Sequence, residues 1–151
     1  AQNLGFENNQ FDVVISRNLT WNLENPVQAY KEWFRVLKKE GVLLNFDANW
    51  YGYLYDEEKR MAYEKDRENV ERSQLDDHYL CTDIDRMEEI AKKVPLSAKN
   101  RPGWDVEVLK EIGFAEIRTD ESIWQSVWSE EERLNYASTP MFLVSGQKGE
   151  N

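Results

Sequence analysis

Two short apolar runs rich in β-branched residues stand in the first third of the chain, Phe11-Asp12-Val13-Val14-Ile15-Ser16 and Val42-Leu43-Leu44-Asn45-Phe46-Asp47. The first follows a polar turn, Glu7-Asn8-Asn9-Gln10, and both have the length and residue types of buried strands. Between them Val27, Tyr30, Phe34 and Leu37 recur at three- and four-residue steps, which places them on one face of a helix. Asn25 can cap that helix, and Pro26 suits its first position. Lys38 and Lys39 complement its carboxyl end, and Gly41 is expected to supply a left-handed turn after it. A strand, a helix and a second strand, both strands apolar along their length, predict a βαβ unit of a parallel sheet.

Beyond residue 50 the pattern loosens. Residues 56–72 have helical composition with few apolar positions, which predicts an exposed helix or flap carrying a solvated charged face. Ile84, Met87, Ile90, Ala91 and Val94 define an amphipathic helix, with Thr82 placed to cap it and Asp85 three residues on. Residues 96–103 read as loop, and 104–112 as a short helix ended by Gly113, with Asp105 in its first turn. Residues 115–119 and 141–146 read as two further strands. Ser129-Glu130-Glu131-Glu132 offers a capping box for a helix between them. The expected architecture is α/β, a mixed sheet of about four strands with flanking helices.

The length of 151 residues fits one domain with a real core. Nineteen Lys and Arg against 29 Asp and Glu give a formal charge of −10. That balance argues against a nucleic-acid binder, whose affinity rests on basic side chains paired with phosphates. No apolar run approaches the roughly 18 residues of a membrane span. The lone Cys81 excludes an internal disulfide framework and fits a reducing, cytoplasmic setting.

Several of these segments resemble a known family. Residues 11–18 (FDVVISRN), then Asn25-Pro26, then Glu32-Trp33-Phe34-Arg35-Val36-Leu37-Lys38-Lys39-Glu40-Gly41, resemble the second half of class I S-adenosylmethionine-dependent methyltransferases of the type 11 kind. Their usual phrase is an FDVV-type strand, a loop, a helix ending in RVLKPGG and a further strand; here Lys39-Glu40-Gly41 replaces the PGG ending. Residues 95–97, 101–105 and 109–114 are similar to the closing helix and strand of small-molecule members. The resemblance implies a Rossmann-like sheet in the order first, second, fourth, third, with the last strand antiparallel to its neighbours. It implies S-adenosylmethionine as cofactor, with Ala1 and Gln2 bordering the adenine and Ser16, Arg17, Asn18 and Trp21 flanking the methionine moiety and the methyl group.

One feature of the family is absent. Its members cradle the cofactor on a glycine-rich turn, where only glycine lets the backbone approach closely. None of the glycines at 5, 41, 52, 103, 113, 146 and 149 forms a GxG pattern. Residues 1–151 are therefore expected to be the carboxyl-terminal portion of a methyltransferase domain, a truncated Rossmann-like half that is inactive alone.

Ligands of such sheets collect at the carboxyl ends of the parallel strands. After the second strand come Asp47, Asn49, Trp50, Tyr51, Tyr53 and Tyr55, a candidate substrate pocket of apolar walls and a few polar anchors. The same rings can instead pack the charged helix onto the sheet. The cluster Asp76, Asp77, His78, Cys81, Asp83 and Asp85 lacks the second His or Cys of a closed zinc pattern, so no metal is assigned. His78, the single histidine, reads as a surface residue, with a base role as the alternative. Methyl transfer is an in-line displacement that needs positioning more than a strong base, and no catalytic residue stands out. The acidic surface and aromatic pocket favour a small-molecule acceptor. The competing reading is a non-catalytic α/β binding or assembly module. In either case the strand at 11–16, left as a sheet edge, is expected to pair in a homo-oligomer.

Overall fold

In the computed structural model, which describes residues 1–150, Asn25 accepts the Gln28 N–H at 3.0 Å and Pro26 takes the first helical position. Helix α1 (Pro26–Val36) thus starts where its capping residues place it, and it joins strand β1 (Phe11–Arg17) to strand β2 (Leu37–Asp47). Its end differs from expectation. Leu37 is already extended and opens β2, and the positive φ falls on Glu40 (59°) rather than on Gly41. Leu37 continues the helical spacing and is also apolar at a strand start, so periodicity alone could not place the boundary. Gly41 is required for close approach instead. A Cβ there would lie 2.9 Å from the Lys38 carbonyl oxygen and 3.2 Å from that of Asp12.

Nor do Lys38 and Lys39 serve the helix end. Lys38 pairs with Asp12 at 2.8 Å across the β1–β2 ladder. The carboxyl end of α1 is capped from the far end of the chain: Lys148 Nζ donates to the Phe34 and Leu37 carbonyls, each at 2.8 Å. A buried ammonium satisfying helix-terminal carbonyls does what the local lysines were expected to do.

The remaining elements are α2 (Glu57–Arg72), α3 (Ile84–Ala91), α4 (Gly103–Ile112), β3 (Phe114–Asp120), α5 (Trp124–Val127), α6 (Glu130–Asn135) and β4 (Phe142–Lys148). The sheet order is β1-β2-β4-β3, with β1 parallel to β2 and β4 antiparallel to both its neighbours, as the resemblance implied. Gly113 ends α4 at φ 109°, and Ser129 with Glu132 forms the expected capping box. Helix α3 is capped by Asp83, which accepts the Arg86 N–H at 3.0 Å, and not by Thr82. Thr82 closes the preceding turn on Tyr79, leaving the next acceptor in the chain to start the helix.

Helices α1 and α4 pack Tyr30, Trp33 and Leu109 onto Leu43, Phe142 and Val144 of the sheet. A second cluster gathers Tyr51, Tyr53, Ala91 and Met87 under α2 and α3. Tyr53 stacks on Tyr63 of α2 at 4.1 Å, so part of the 50–55 aromatic segment does pack the charged helix down. Strand β1 is an edge, with Val13 47% and Ile15 66% exposed.

The segment before β1 is pinned by Glu32, which accepts the Leu4 N–H at 2.8 Å and pairs with Arg35 at 2.8 Å. These bonds, the Arg35 hydrogen bond first, hold the Glu32 carboxyl down at about 2, against an ordinary 4.5. A lowered folded-state value means the stabilisation is present above the ordinary pKa and is lost as pH falls through the folded one. Urea titrations of wild type and Glu32→Gln should therefore diverge least at the acid end, the wild type losing its advantage between 4.5 and about 2. Parallel pH profiles for the two proteins would contradict this.

Candidate functional site

At the carboxyl end of β1 the chain turns sharply. Asn18 adopts φ 53°, a left-handed conformation that asparagine tolerates better than most residues, and its N–H bonds the Phe46 carbonyl at 2.9 Å. A short 3-10 turn at Thr20–Asn22 follows. Its position is set by a closed circuit of buried polar groups. Asn45 Nδ2 donates to Thr20 Oγ1 and to Tyr30 Oη, each at 2.8 Å, and Tyr30 Oη donates to Asp105 Oδ1 at 2.6 Å. Arg101 holds Asp105 through Nε (3.0 Å) and Nη2 (2.9 Å) and reaches Asp47 Oδ2 through Nη1 at 2.7 Å. Asp47 Oδ2 then accepts the Trp21 N–H at 2.8 Å, one residue from where the circuit began.

Asp47 is thus fully buried; its Oδ2 anchors the loop, and its Oδ1 has no hydrogen-bond partner. Burial pushes its carboxyl up from the usual range, and the Arg101 guanidinium opposes that shift. Asp105, expected to serve the α4 amino terminus, is the other buried partner of Arg101.

The loop after β1 divides two cavities. On one side lies a cleft of about 400 Å³ lined by Asn18, Trp21, Trp50, Tyr51, His78, Tyr79, Thr82, Met87, Trp128, Glu132 and Tyr136. On the other lies an apolar groove of about 430 Å³ along β1, lined by Ala1, Leu4, Phe6, Leu19, Trp33 and the residues from Val13 to Arg17 among others. The buried Ser16 Oγ on the groove side has no hydrogen-bond partner.

The structure therefore brings Asn18, Trp21, Trp50 and Tyr51 together in the cleft, and Ala1, Ser16 and Arg17 in the groove. The Gln2 side chain instead accepts the Asn25 N–H at 2.6 Å. Asn49 and Tyr53 line a separate cavity of about 160 Å³ beside Arg101 and Phe142, where Asn49 Nδ2 donates to the Arg101 carbonyl at 2.9 Å. Tyr55 is exposed. Of the acidic cluster, Asp77 pairs with Arg67 at 3.0 Å and Asp83 caps α3. His78 lies against α6, with Nε2 at 2.5 Å from Glu131 Oε1 and Nδ1 at 2.7 Å from Tyr136 Oη.

Sequence reasoning missed Tyr79, Thr82, Met87, Trp128, Glu132 and Tyr136 as wall residues. Their one advance signal was the pair of aromatics, Trp128 and Tyr136, flanking the Ser129 capping box. The residues on the groove side fit a cofactor in one respect, an unsatisfied buried hydroxyl, Ser16 Oγ, near the end of β1 in the groove wall. They provide no glycine turn for a phosphate or a ribose-bearing ligand to lie against.

Residues 1–45 match the family model described as "Methyltransferase domain". No curated protein matches the sequence. Among solved structures, an S-adenosylmethionine-dependent methyltransferase from Thermotoga maritima aligns over 97% of this chain and 60% of its own, with 18% identity and a TM-score of 0.57. Phosphoethanolamine N-methyltransferase 2 of Haemonchus contortus, solved with phosphomonomethylethanolamine and S-adenosylhomocysteine, aligns over 95% of this chain and 35% of its own (15% identity, TM-score 0.53). A Bacillus halodurans protein described as a candidate methyltransferase aligns over 98% and 68% (17% identity, TM-score 0.52). The chain thus has a class I methyltransferase-like fold, and it spans between 35% and 68% of the length of these three structures. Among the described residues no helix is long and apolar enough to cross a membrane.

Proposed function

We propose that this domain takes part in S-adenosylmethionine-dependent methyl transfer to a small-molecule acceptor in the cytoplasm, as the carboxyl-terminal portion of a catalytic unit. The observation that carries the reading is the loop at the end of β1, which separates an apolar groove from an aromatic cleft. A donor along the groove would meet Ala1, Ser16 and Arg17, with the Ser16 hydroxyl free to bond it. When bound, it supplies a methyl group already activated by a sulfonium. Asn18 and Trp21, on the loop between the two spaces, line the cleft, and Trp50, Tyr51 and Trp128 give the acceptor apolar walls. The ring of Trp21, 5.4 Å from that of Tyr51, can favour positive charge at its face.

Without a glycine turn the isolated chain should bind S-adenosylmethionine weakly, and micromolar affinity by calorimetry would misplace the groove. In a catalytic unit completed by a glycine-turn half, Asn18→Gly is the informative variant, because glycine keeps the left-handed backbone while removing the amide. We expect methyl transfer to fall about tenfold or more with the fold unchanged. An undiminished rate would reduce Asn18 to a turn residue.

The exposed β1 edge supports a second part of the reading. Its unpaired backbone groups and the apolar Val13 and Ile15 invite pairing with a second copy, most simply about a two-fold axis. Light scattering of the isolated chain should give more than the 17.9 kDa of one copy, and Ile15→Lys should restore the monomer. A wild type that stays monomeric at tens of micromolar would remove the homo-oligomer.

A further inference from the structure

His78 is held in place with more care than a surface histidine needs. Its backbone N–H donates to Asn135 Oδ1 at 3.0 Å, while Asn135 Nδ2 donates to the carbonyls of Asp76 (2.9 Å) and Glu131 (3.1 Å). Asn135 is buried, so the 76–78 segment is fastened to the carboxyl end of α6. That fastening puts the imidazole between Glu131, on the helix, and Tyr136, just past it. A carboxylate can only accept, so Nε2 carries the hydrogen toward Glu131, and in the neutral imidazole Nδ1 is then left to accept the Tyr136 hydroxyl. The Tyr136 ring is fixed in turn by edge contact with Trp50 at 5.2 Å and by Trp128 at 5.8 Å, on the wall of the cleft.

The same cleft offers faces for a cation. Among the described residues the chain's own cation–π contacts fall on Tyr53, Tyr63, Tyr79, Phe34 and Phe142, and none falls on the cleft tryptophans. The half-buried Trp21 and Trp50 and the buried Trp128 therefore line the cleft with no cation of the chain's own over their rings, while the Glu132 carboxylate in the same wall pairs with Arg17 at 3.5 Å and accepts the Ser129 N–H at 2.8 Å.

Resting on methyl transfer at this cleft, we propose that Tyr136, His78 and Glu131 form a proton relay that deprotonates the methyl acceptor, and that the acceptor is a small amine arriving as its ammonium ion. An ammonium has no lone pair and cannot attack a methyl group. The relay removes that block. An N–H proton passes to Tyr136 Oη as the tyrosine's own proton passes to His78 Nδ1, and Glu131 stabilises the imidazolium. The released nitrogen lone pair forms the N–CH3 bond while the S–CH3 bond breaks, its electron pair staying on sulfur. The proton leaves to solvent through His78, whose side chain is 28% exposed. The charged and titratable groups around the imidazole are Glu131 and Glu132 from α6, Tyr136 beyond it, Asp77 and Tyr79 on its own segment, and Arg67 from α2, which binds Asp77 and the Asn135 carbonyl.

Because His78 is the only histidine, long-range proton–nitrogen correlation spectra of this chain report on one ring. The neutral imidazole should be the Nε2–H tautomer, Glu131→Gln should redistribute it, and Tyr136→Phe should shift the Nδ1 resonance in a folded protein. With phenethylamine as acceptor probe in the completed catalytic unit, Tyr136→Phe and His78→Gln should lower kcat about 100-fold or more while KM stays close to wild type. Part of the lost rate should return at high pH, where the amine is already free. An Nδ1–H tautomer, or a spectrum indifferent to both variants, overturns the relay whatever the activity. So does an active wild type whose variants keep its kcat. Transfer to phenols or alcohols but not to amines overturns the acceptor class. Absence of transfer to any acceptor, with the Nε2–H tautomer in place, overturns methyl transfer itself and the relay that rests on it.

Discussion

Replacing Arg101 by Met should cost about 3–5 kcal/mol of folding stability, because it leaves a buried charge pair half-made. Arg101 is the one cation between Asp47 and Asp105, at 2.7 and 2.9 Å, with all three side chains at most 1% exposed. Methionine fills much of the volume but leaves two carboxylates facing each other without compensation. Against a total of about 5–15 kcal/mol for a domain, that is a large share. Urea denaturation followed by circular dichroism measures it. The sign of the pH dependence provides a second check. In the variant only backbone hydrogen bonds oppose the effect of burial on Asp47, which already lies above its ordinary range with Arg101 present. A carboxyl with a raised folded-state pKa destabilises more as pH rises through that value, so the deficit should be larger at about pH 8 than at about pH 4. A deficit under about 1 kcal/mol, or one that grows on acidification, would mean the circuit is not held by charge. The loop should suffer as well, since Asp47 also accepts the Trp21 N–H. Fluorescence of the cleft tryptophans should change in Arg101→Met even where the protein remains folded.

The second large effect is expected at Leu43. It is fully buried at the centre of β2, opposite Val14 on one side and Gly146 on the other. Truncation to alanine removes apolar contacts and leaves a cavity between α1, α4 and the sheet that neighbouring strands cannot close, at a cost of about 2–5 kcal/mol. Ile15, one ladder position from that register but 66% exposed, should behave differently: Ile15→Thr should change monomer stability by no more than about 0.5 kcal/mol. Both strands read alike in the sequence, as apolar β-branched runs. Equal losses for the two variants in a monomeric protein would contradict the exposed edge at β1.

That contrast marks the boundary between local and tertiary information. The elements and their kinds were legible: the βαβ unit from two apolar runs and a helical period, the starts of α1 and α6 from their capping residues, and the end of α4 from Gly113. The strand order followed from resemblance rather than from pattern. Candidate walls at the end of β1 were also legible, because in a parallel sheet the carboxyl ends of strands face the ligand side whatever the side chains are. Hence Asn18, Trp21, Trp50 and Tyr51 do share one cleft.

What tertiary structure alone decided has a single physical reason: capping and periodicity act over a few residues, whereas charge pairing and hydrogen bonding act between whatever the fold brings together. Lys148 caps a helix that ends more than a hundred positions earlier. Asp47 looked like a substrate anchor by its place after a strand, and Arg101, 54 residues on, turned it into a buried strut. His78 was ambiguous by composition because its partners, Glu131 and Tyr136, are 53 and 58 residues away. By itself the sequence determined which segments form strands and helices and where the carboxyl ends of the parallel strands lie. Only the packing of α6 and the 76–79 segment over those ends decided which side chains face the cleft and which are consumed in holding it.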